Sequence, residues 1–261
     1  MSPLLLVLTK IYSKNKNTPR VLWYTHPKPK ELSKRLILRL SLIFSNKVVT
    51  ASKSSFPYKS KKVEIIGHAI DYDLFHRERE NLTNKDFIIL SRISQSKNIE
   101  LVVDCFLNSK FKENLITIVG DSVTSKDEEY KEFLVNRYKN NDNVFFKGKI
   151  PHDNLPAFIS NYSFHINATP SGFYDKTVLE TLSGGLFNFY SNTDYNKLFS
   201  DESILFTNFK LNDLSLTKNL NSVYDLEEET LLKIIKLGQK NASNESITVS
   251  YTHLRAHETS I

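Results

Sequence analysis

Two basic side chains, Arg92 and Lys97, stand five residues apart in Ser91-Arg-Ile-Ser-Gln-Ser-Lys97, directly after the apolar run Phe87-Ile-Ile-Leu90. A guanidinium presents a planar fork to phosphate oxygens and an ammonium a point charge, so the pair suits a diphosphate. A second stretch, Thr169-Pro-Ser-Gly-Phe-Tyr-Asp-Lys-Thr-Val-Leu-Glu-Thr-Leu-Ser-Gly-Gly185, follows the apolar run Phe164-His-Ile-Asn-Ala168 and reads as strand, tight turn and helix. The helix is expected to begin near Asp175, to carry Glu180 one turn in, and to stop at Gly184-Gly185. Such a turn aims backbone N–H groups of Ser171, Gly172, Phe173 and Tyr174 at an anion and, with Arg92 and Lys97, would make a diphosphate cradle. Each part also has a plainer explanation. Arg92 and Lys97 fit ordinary loop charges, and Lys176 lies four positions before Glu180, where it could form a surface ion pair. Asp175 at a helix start competes with phosphate for the same amides, unless it serves a sugar hydroxyl instead.

These residues need a scaffold, and the chain supplies one by alternation. Phe87-Leu90, Leu115-Val119, Asn143-Phe146, Ser163-Ile166, Leu186-Tyr190 and Ser203-Phe206 are strand candidates. Between them, Ile99, Val102, Val103 and Phe106, then Tyr130, Phe133, Leu134 and Tyr138, then Leu155, Phe158 and Ile159, recur at helical spacing. Short apolar strands separated by amphipathic helices predict an α/β fold with a parallel sheet covered on both faces, a Rossmann-like domain. The first seventy residues repeat the pattern less completely, with strands at Val21-Tyr24, Lys47-Thr50 and Lys62-Ile66 around a helix from about Lys30 to Phe44. The expected division is a partial first unit over 1–70, a charged connection over 71–84, and a complete second unit over 85–248. In an open parallel sheet ligands bind beyond the carboxyl ends of the strands, which is where the basic pair and the turn both fall.

Composition narrows the class. The 261 residues are 40% apolar, ample for sizeable cores, and the single Cys105 excludes a disulfide framework or a cysteine metal cluster and fits a reducing compartment. A formal charge of +6 suits polyanionic partners, but Lys is spread throughout, which favours general solvation over nucleic-acid binding. Met1 to Val7 is far short of the roughly 20 apolar residues a membrane span needs and lacks a secretory signal's features. No Gly-X-Gly-X-X-Gly turn follows a strand, which argues against a dehydrogenase. In the helix from Lys30, apolar Leu32, Leu36, Ile37 and Leu40 gather on one side and Lys34, Arg35 and Arg39 on another, as in helices resting on anionic lipid; packing on the unit's own sheet is the favoured alternative. Residues 249–261 resemble translated sequencing-adapter DNA, so His253, His257 and Glu258 are set aside as metal ligands.

Taken in order, Arg92-Ile-Ser-Gln-Ser-Lys97, Val119-Gly120-Asp121, Val144-Phe-Phe-Lys-Gly148 and Pro170-Ser171 through Glu180 to Gly185 resemble the family-4 retaining glycosyltransferases of the GT-B fold, among the glycosyl transferases group 1. Trp23-Tyr-Thr-His26, Val49-Thr-Ala-Ser52 and Gly67-His-Ala-Ile-Asp71 agree with that family's first domain. The resemblance spans roughly residues 20 to 240 and implies transfer of a sugar from a nucleoside-diphosphate sugar to a glycan or lipid-linked acceptor, with no metal cofactor. It implies that Arg92 and Lys97 bind the donor diphosphate, Glu180 holds the ribose, and His26 faces the donor sugar; His26 also suits a capping or packing role before Pro27-Lys-Pro29. The family's first glutamate is missing, since Gly172 stands eight positions before Glu180; Asp175 or Lys176 are the expected substitutes. By the same comparison the chain is expected to be a fragment lacking both ends, with an intact donor pocket and little activity, working in the cytoplasm with possible peripheral contact to an anionic membrane. A non-catalytic nucleotide-binding remnant and a basic nucleic-acid-binding protein are the alternatives.

Overall fold

The computed structural model describes residues 19–82 and 84–246, so Met1 to Val7 and the adapter-like 249–261 lie outside the described residues. Strands β1 (Val21–Tyr24), β2 (Lys47–Thr50) and β3 (Val63–Ile65) form a parallel sheet in the order β1-β2-β3, with helix α1 (Leu32–Phe44) between the first two. Its small core is Leu22, Leu38, Val48 and Phe56. Only Leu38 and Ser41 of α1 are buried, whereas Leu32 is 80% exposed and Leu36, Ile37 and Leu40 are each more than 40% exposed. The expected seating of those four residues on the sheet is therefore corrected. Three short strands offer a narrow face, and α1 meets it along the Leu38–Ser41 line, leaving the rest of its apolar side uncovered.

After α2 (Tyr72–Phe75) comes a five-stranded parallel sheet of β4 (Phe87–Leu90), β5 (Ile116–Val119), β6 (Val144–Gly148), β7 (Phe164–Asn167) and β8 (Phe187–Tyr190), ordered β6-β5-β4-β7-β8. Every residue of β4, β5, β7 and β8 is buried. Phe87 and Ile89 face one core with Phe111, Phe164 and Ile166; Ile88 and Leu90 face another with Phe75, Val119, Leu155, Ile159 and Leu186. Helices α3 (Ile99–Leu107), α4 (Ser125–Tyr138), α5 (Leu155–Ile159) and α6 (Lys176–Ser183) supply the crossovers. Two covered faces explain why these strands read as unbroken apolar runs rather than alternating ones.

The candidate strand Ser203-Phe206 is corrected: it lies in helix α7 (Asp201–Thr207), followed by α8 (Asp213–Tyr224) and α9 (Glu228–Ala242). Ser200 caps α7 by accepting the Ser203 N–H, and Asp201 and Glu202 fill its first turn, a start signal that outweighs three apolar residues. The chain order matters most at the middle of the sheet. From β4 the chain runs to β5 and β6 on one side and returns to β7 on the other, so the sheet's switch point falls between β4 and β7.

Candidate functional site

The two segments singled out by their chemistry emerge side by side, because β4 and β7 pair in parallel with Phe87 opposite Phe164 and Ile88 opposite His165. After β4 a 3-10 turn over Gln95–Lys97 ends at Asn98, whose left-handed backbone (φ 50°) redirects the chain into α3. The Asn98 amide donates to the Ala168 carbonyl at 2.8 Å and ties the β4 loop to the end of β7. That tie brings Lys97 onto the turn. Its ammonium lies 2.5 Å from Asp175 Oδ2 and 3.2 Å from Thr169 Oγ1.

Asp175 precedes α6 at the N-cap position, yet its side chain does not cap the helix. Oδ2 instead accepts from Lys97, from Asn167 Nδ2 at 3.3 Å and from Thr169 Oγ1 at 3.3 Å. The expected competition for the helix-start amides is thus not made by this carboxylate. Burial opposes charge on Asp175, but Lys97 and Asn167 outweigh it and hold the carboxyl below its ordinary range.

Glu180, one turn into α6, is 6% exposed. It forms no ion pair with Lys176; its Oε1 meets His152 Nε2 at 3.3 Å, from the 3-10 turn that follows β6. Burial pushes its carboxyl upward, against the pull of His152 and Lys176. Arg92 is exposed, and its guanidinium has no hydrogen-bond or ion-pair partner among the described residues. Lys176 is also exposed.

The turn has two flanks. Ser171 Oγ accepts the Thr193 N–H at 3.1 Å, and the Phe173 amide closes the turn on the Pro170 carbonyl at 3.3 Å, so Phe173 is not the free donor expected of it. Gly172 adopts φ +98°, and a Cβ there would sit 3.3 Å from Pro27 Cβ of the first unit. Its carbonyl accepts from Ser55 Oγ at 2.9 Å, a second contact between the units. Tyr174 turns inward: its ring stacks on His68 and Tyr195 at 5.7 and 4.7 Å, and its hydroxyl donates to Glu245 Oε1 at 3.3 Å. Glu245 also pairs with Lys197. Gly67 lies beside it with φ +70°, a left-handed backbone that favours glycine.

His26 is exposed in the first unit, 5.9 Å from the Tyr24 ring, and shares with Pro170, Ser171 and Phe173 a cleft of ≈ 770 Å³ between α1 and the turn. Lys97, Asp175 and Glu180 do not line that cleft. The structure therefore divides the anticipated residues: Lys97 and Asp175 meet, His26, Ser171 and Phe173 meet elsewhere, and Tyr174 belongs to the junction between units. Sequence reasoning missed Asn167, Thr169 and His152. Asn167 and Thr169 alternate at the mouth of β7, a signal that polar residues at a strand end provide; nothing local marks His152.

Two parallel α/β sheets flanking a cleft, with the larger one's switch point at the basic loop, define the GT-B glycosyltransferase fold. Residues 73–173 match the family described as "Glycosyl transferases group 1", which bears out the resemblance at the level of that group. No curated protein sequence matches the chain. Among solved structures, Anabaena HepE in complex with UDP-glucose superposes with a TM-score of 0.81 at 14% identity, over 99% of this chain and 77% of that one. A glycosyltransferase from Rickettsia africae gives 0.75 at 12% identity, over 99% and 80% of the two chains. Sucrose-phosphate synthase from Thermosynechococcus elongatus gives 0.71 at 13%, over 97% and 65%. At these identities the likeness is one of fold.

Proposed function

We propose that this protein is a retaining glycosyltransferase that moves a sugar from a nucleoside-diphosphate sugar to a glycan or lipid-linked acceptor. The observation that carries the reading is the Lys97 ammonium reaching the β7 turn at the switch point, where a parallel sheet receives its ligand. The family match over residues 73–173 and the fold shared with a UDP-glucose complex support it.

In this reading Lys97 and the unpartnered Arg92 face the donor diphosphate, and Asp175 is a positioning residue that holds Lys97 extended toward it. Cleaving the anomeric bond builds positive charge on the sugar and negative charge on the β-phosphate. Cations placed at that phosphate stabilise the transition state more than the ground state. The chain's own residues meet this charge, and the reading assigns no resident metal. In this reading Glu180, buried and 3.3 Å from His152, accepts from ribose hydroxyls, and His26 faces the donor sugar. Asp175, engaged by three donors, is a poor substitute for the missing glutamate, which leaves Lys176 as the free group on that turn. A cytoplasmic setting suits the buried Cys105; no helix of the described residues is long and apolar enough to cross a membrane.

Calorimetric titration with UDP, ADP and GDP, on the unaltered chain and on Lys97→Met, tests the reading. Binding of one of the three by the first that falls at least tenfold in the second is expected; no binding of any, or equal binding by both, would overturn it.

A further inference from the structure

We propose that the cleft between α1 and the 170–173 turn takes an acceptor in which a phosphate group is joined to an aliphatic chain. The word acceptor rests on the transferase reading above; the ligand chemistry rests on the cleft itself.

The walls are apolar. Ile37 and Leu38 of α1 line it together with Pro27, Pro29 and Phe173. Among the charged groups on the rim Lys34 and Glu31 pair at 2.7 Å, which leaves the positive charges of Lys28 and Lys30 unmatched. A cleft of ≈ 770 Å³ is large enough for a small amphiphile, since ligand pockets run from about 300 to 1,000 Å³. The apolar wall does not end at the cleft mouth. From Ile37 it continues along α1 to Leu36, Leu40 and Ile43, which are 57%, 43% and 56% exposed and offer a track for a chain longer than the cleft.

Other occupants match this pairing less well. A neutral glycan could accept hydrogen bonds from the lysines but would leave their charge unmatched and the apolar wall against its hydroxyls. A free inorganic phosphate would use the lysines and leave the apolar wall against water. A phosphate on a hydrocarbon uses both: the chain removes Ile37, Leu38 and Phe173 from solvent, and the head meets the lysines beside Ser171 and His26.

The test is calorimetric titration of the full chain with decyl phosphate below its micelle-forming concentration, with 1-decanol and inorganic phosphate as comparison ligands. Two variants are included, Lys28→Gln with Lys30→Gln, and Ile37→Asn. Ile37 is 47% exposed, so its replacement leaves the fold intact, which a thermal melt checks. Decyl phosphate is expected to bind, with roughly tenfold weaker binding in the double lysine variant and a clear loss in Ile37→Asn. Decanol and inorganic phosphate are expected to bind far more weakly. Unchanged binding in both variants would overturn the assignment, as would decanol or inorganic phosphate matching decyl phosphate. UDP, ADP and GDP titrated separately keep the two readings apart. Decyl phosphate binding without binding of any nucleoside diphosphate would sink the transferase reading and leave the cleft assignment standing; nucleoside diphosphate binding without decyl phosphate binding would do the reverse.

Discussion

Replacing Lys97 by Met removes a cation from a site where water can do little to compensate. The Lys97 and Asp175 side chains are only 15% and 17% exposed and meet at 2.5 Å. Breaking a fully buried pair costs about 3 to 5 kcal/mol. Here some solvent reaches both groups, and Asn167 and Thr169 still donate to the orphaned carboxylate, so about 2 kcal/mol is the reasonable figure. For a chain of this size that is a fall of roughly 4 to 8 °C in Tm. The pH dependence carries the sharper test. With Lys97 present, the Asp175 carboxyl is held below its ordinary value of 3.8, so its contribution is complete above that value and is lost only as pH falls through the lowered one. Without Lys97, burial dominates and raises the carboxyl, so acidification from pH 7 to 5 relieves the buried charge. The Tm gap between Lys97→Met and the unaltered chain should narrow at pH 5. Adding Asp175→Asn to Lys97→Met should recover most of the loss. Melts of these proteins followed by circular dichroism at both pH values decide it. A gap that is the same at pH 7 and 5, or a double variant no more stable than Lys97→Met, would refute the account of this pair.

Arg92→Gln should cost about 10- to 100-fold in turnover of a donor sugar, as for a lost charge-assisted hydrogen bond, with little change in Tm because the side chain is exposed; steady-state kinetics that move only KM would contradict it. Glu180→Gln keeps the shape but weakens acceptance from ribose hydroxyls, so UDP affinity should fall about tenfold while binding of inorganic diphosphate stays unchanged. Because burial raises the Glu180 carboxyl, the unaltered protein should lose UDP affinity on acidification at a higher pH than an exposed glutamate would dictate, and Glu180→Gln should lose that dependence. Gly172→Ala places a Cβ at φ +98° and 3.3 Å from Pro27; a cost of about 1 to 3 kcal/mol, read as a lowered Tm, is expected.

The strands of the larger sheet were legible because both faces are covered, so Phe87-Leu90 and Phe164-Asn167 carry their burial in plain view. The meeting of the basic loop with the β7 turn was legible too, since it follows from chain order and the rule for parallel sheets. What sequence could not give is which flank of the turn each residue occupies. Tyr174 and Phe173 are adjacent, yet one is 6% and the other 37% exposed, because Tyr195 and His68 enclose the first. The missing glutamate is the clearest case. Read locally, Gly172 is a gap in a motif; in space it is the residue over which Pro27 of the first unit closes, where a side chain has little room. Glu180 looked like half of a surface pair because Lys176 is four residues away, but the carboxylate is drawn inward to His152, a partner 28 positions distant. For α1, period and amphipathicity were right and the choice of buried side was wrong, since the width of the sheet beneath it cannot be read from the helix.

Tyr174 is clasped by His68 from the strand-to-helix connection, by Tyr195 from the segment after β8, and by Glu245 near the last described residue. One phenol thus knots the strap that joins the two lobes to the bend that would cradle the leaving group. Any shift of His68 against Tyr195 must carry or break the two stacks on that ring, so the seating of residues 67–68 and the shape of the bend are coupled through it.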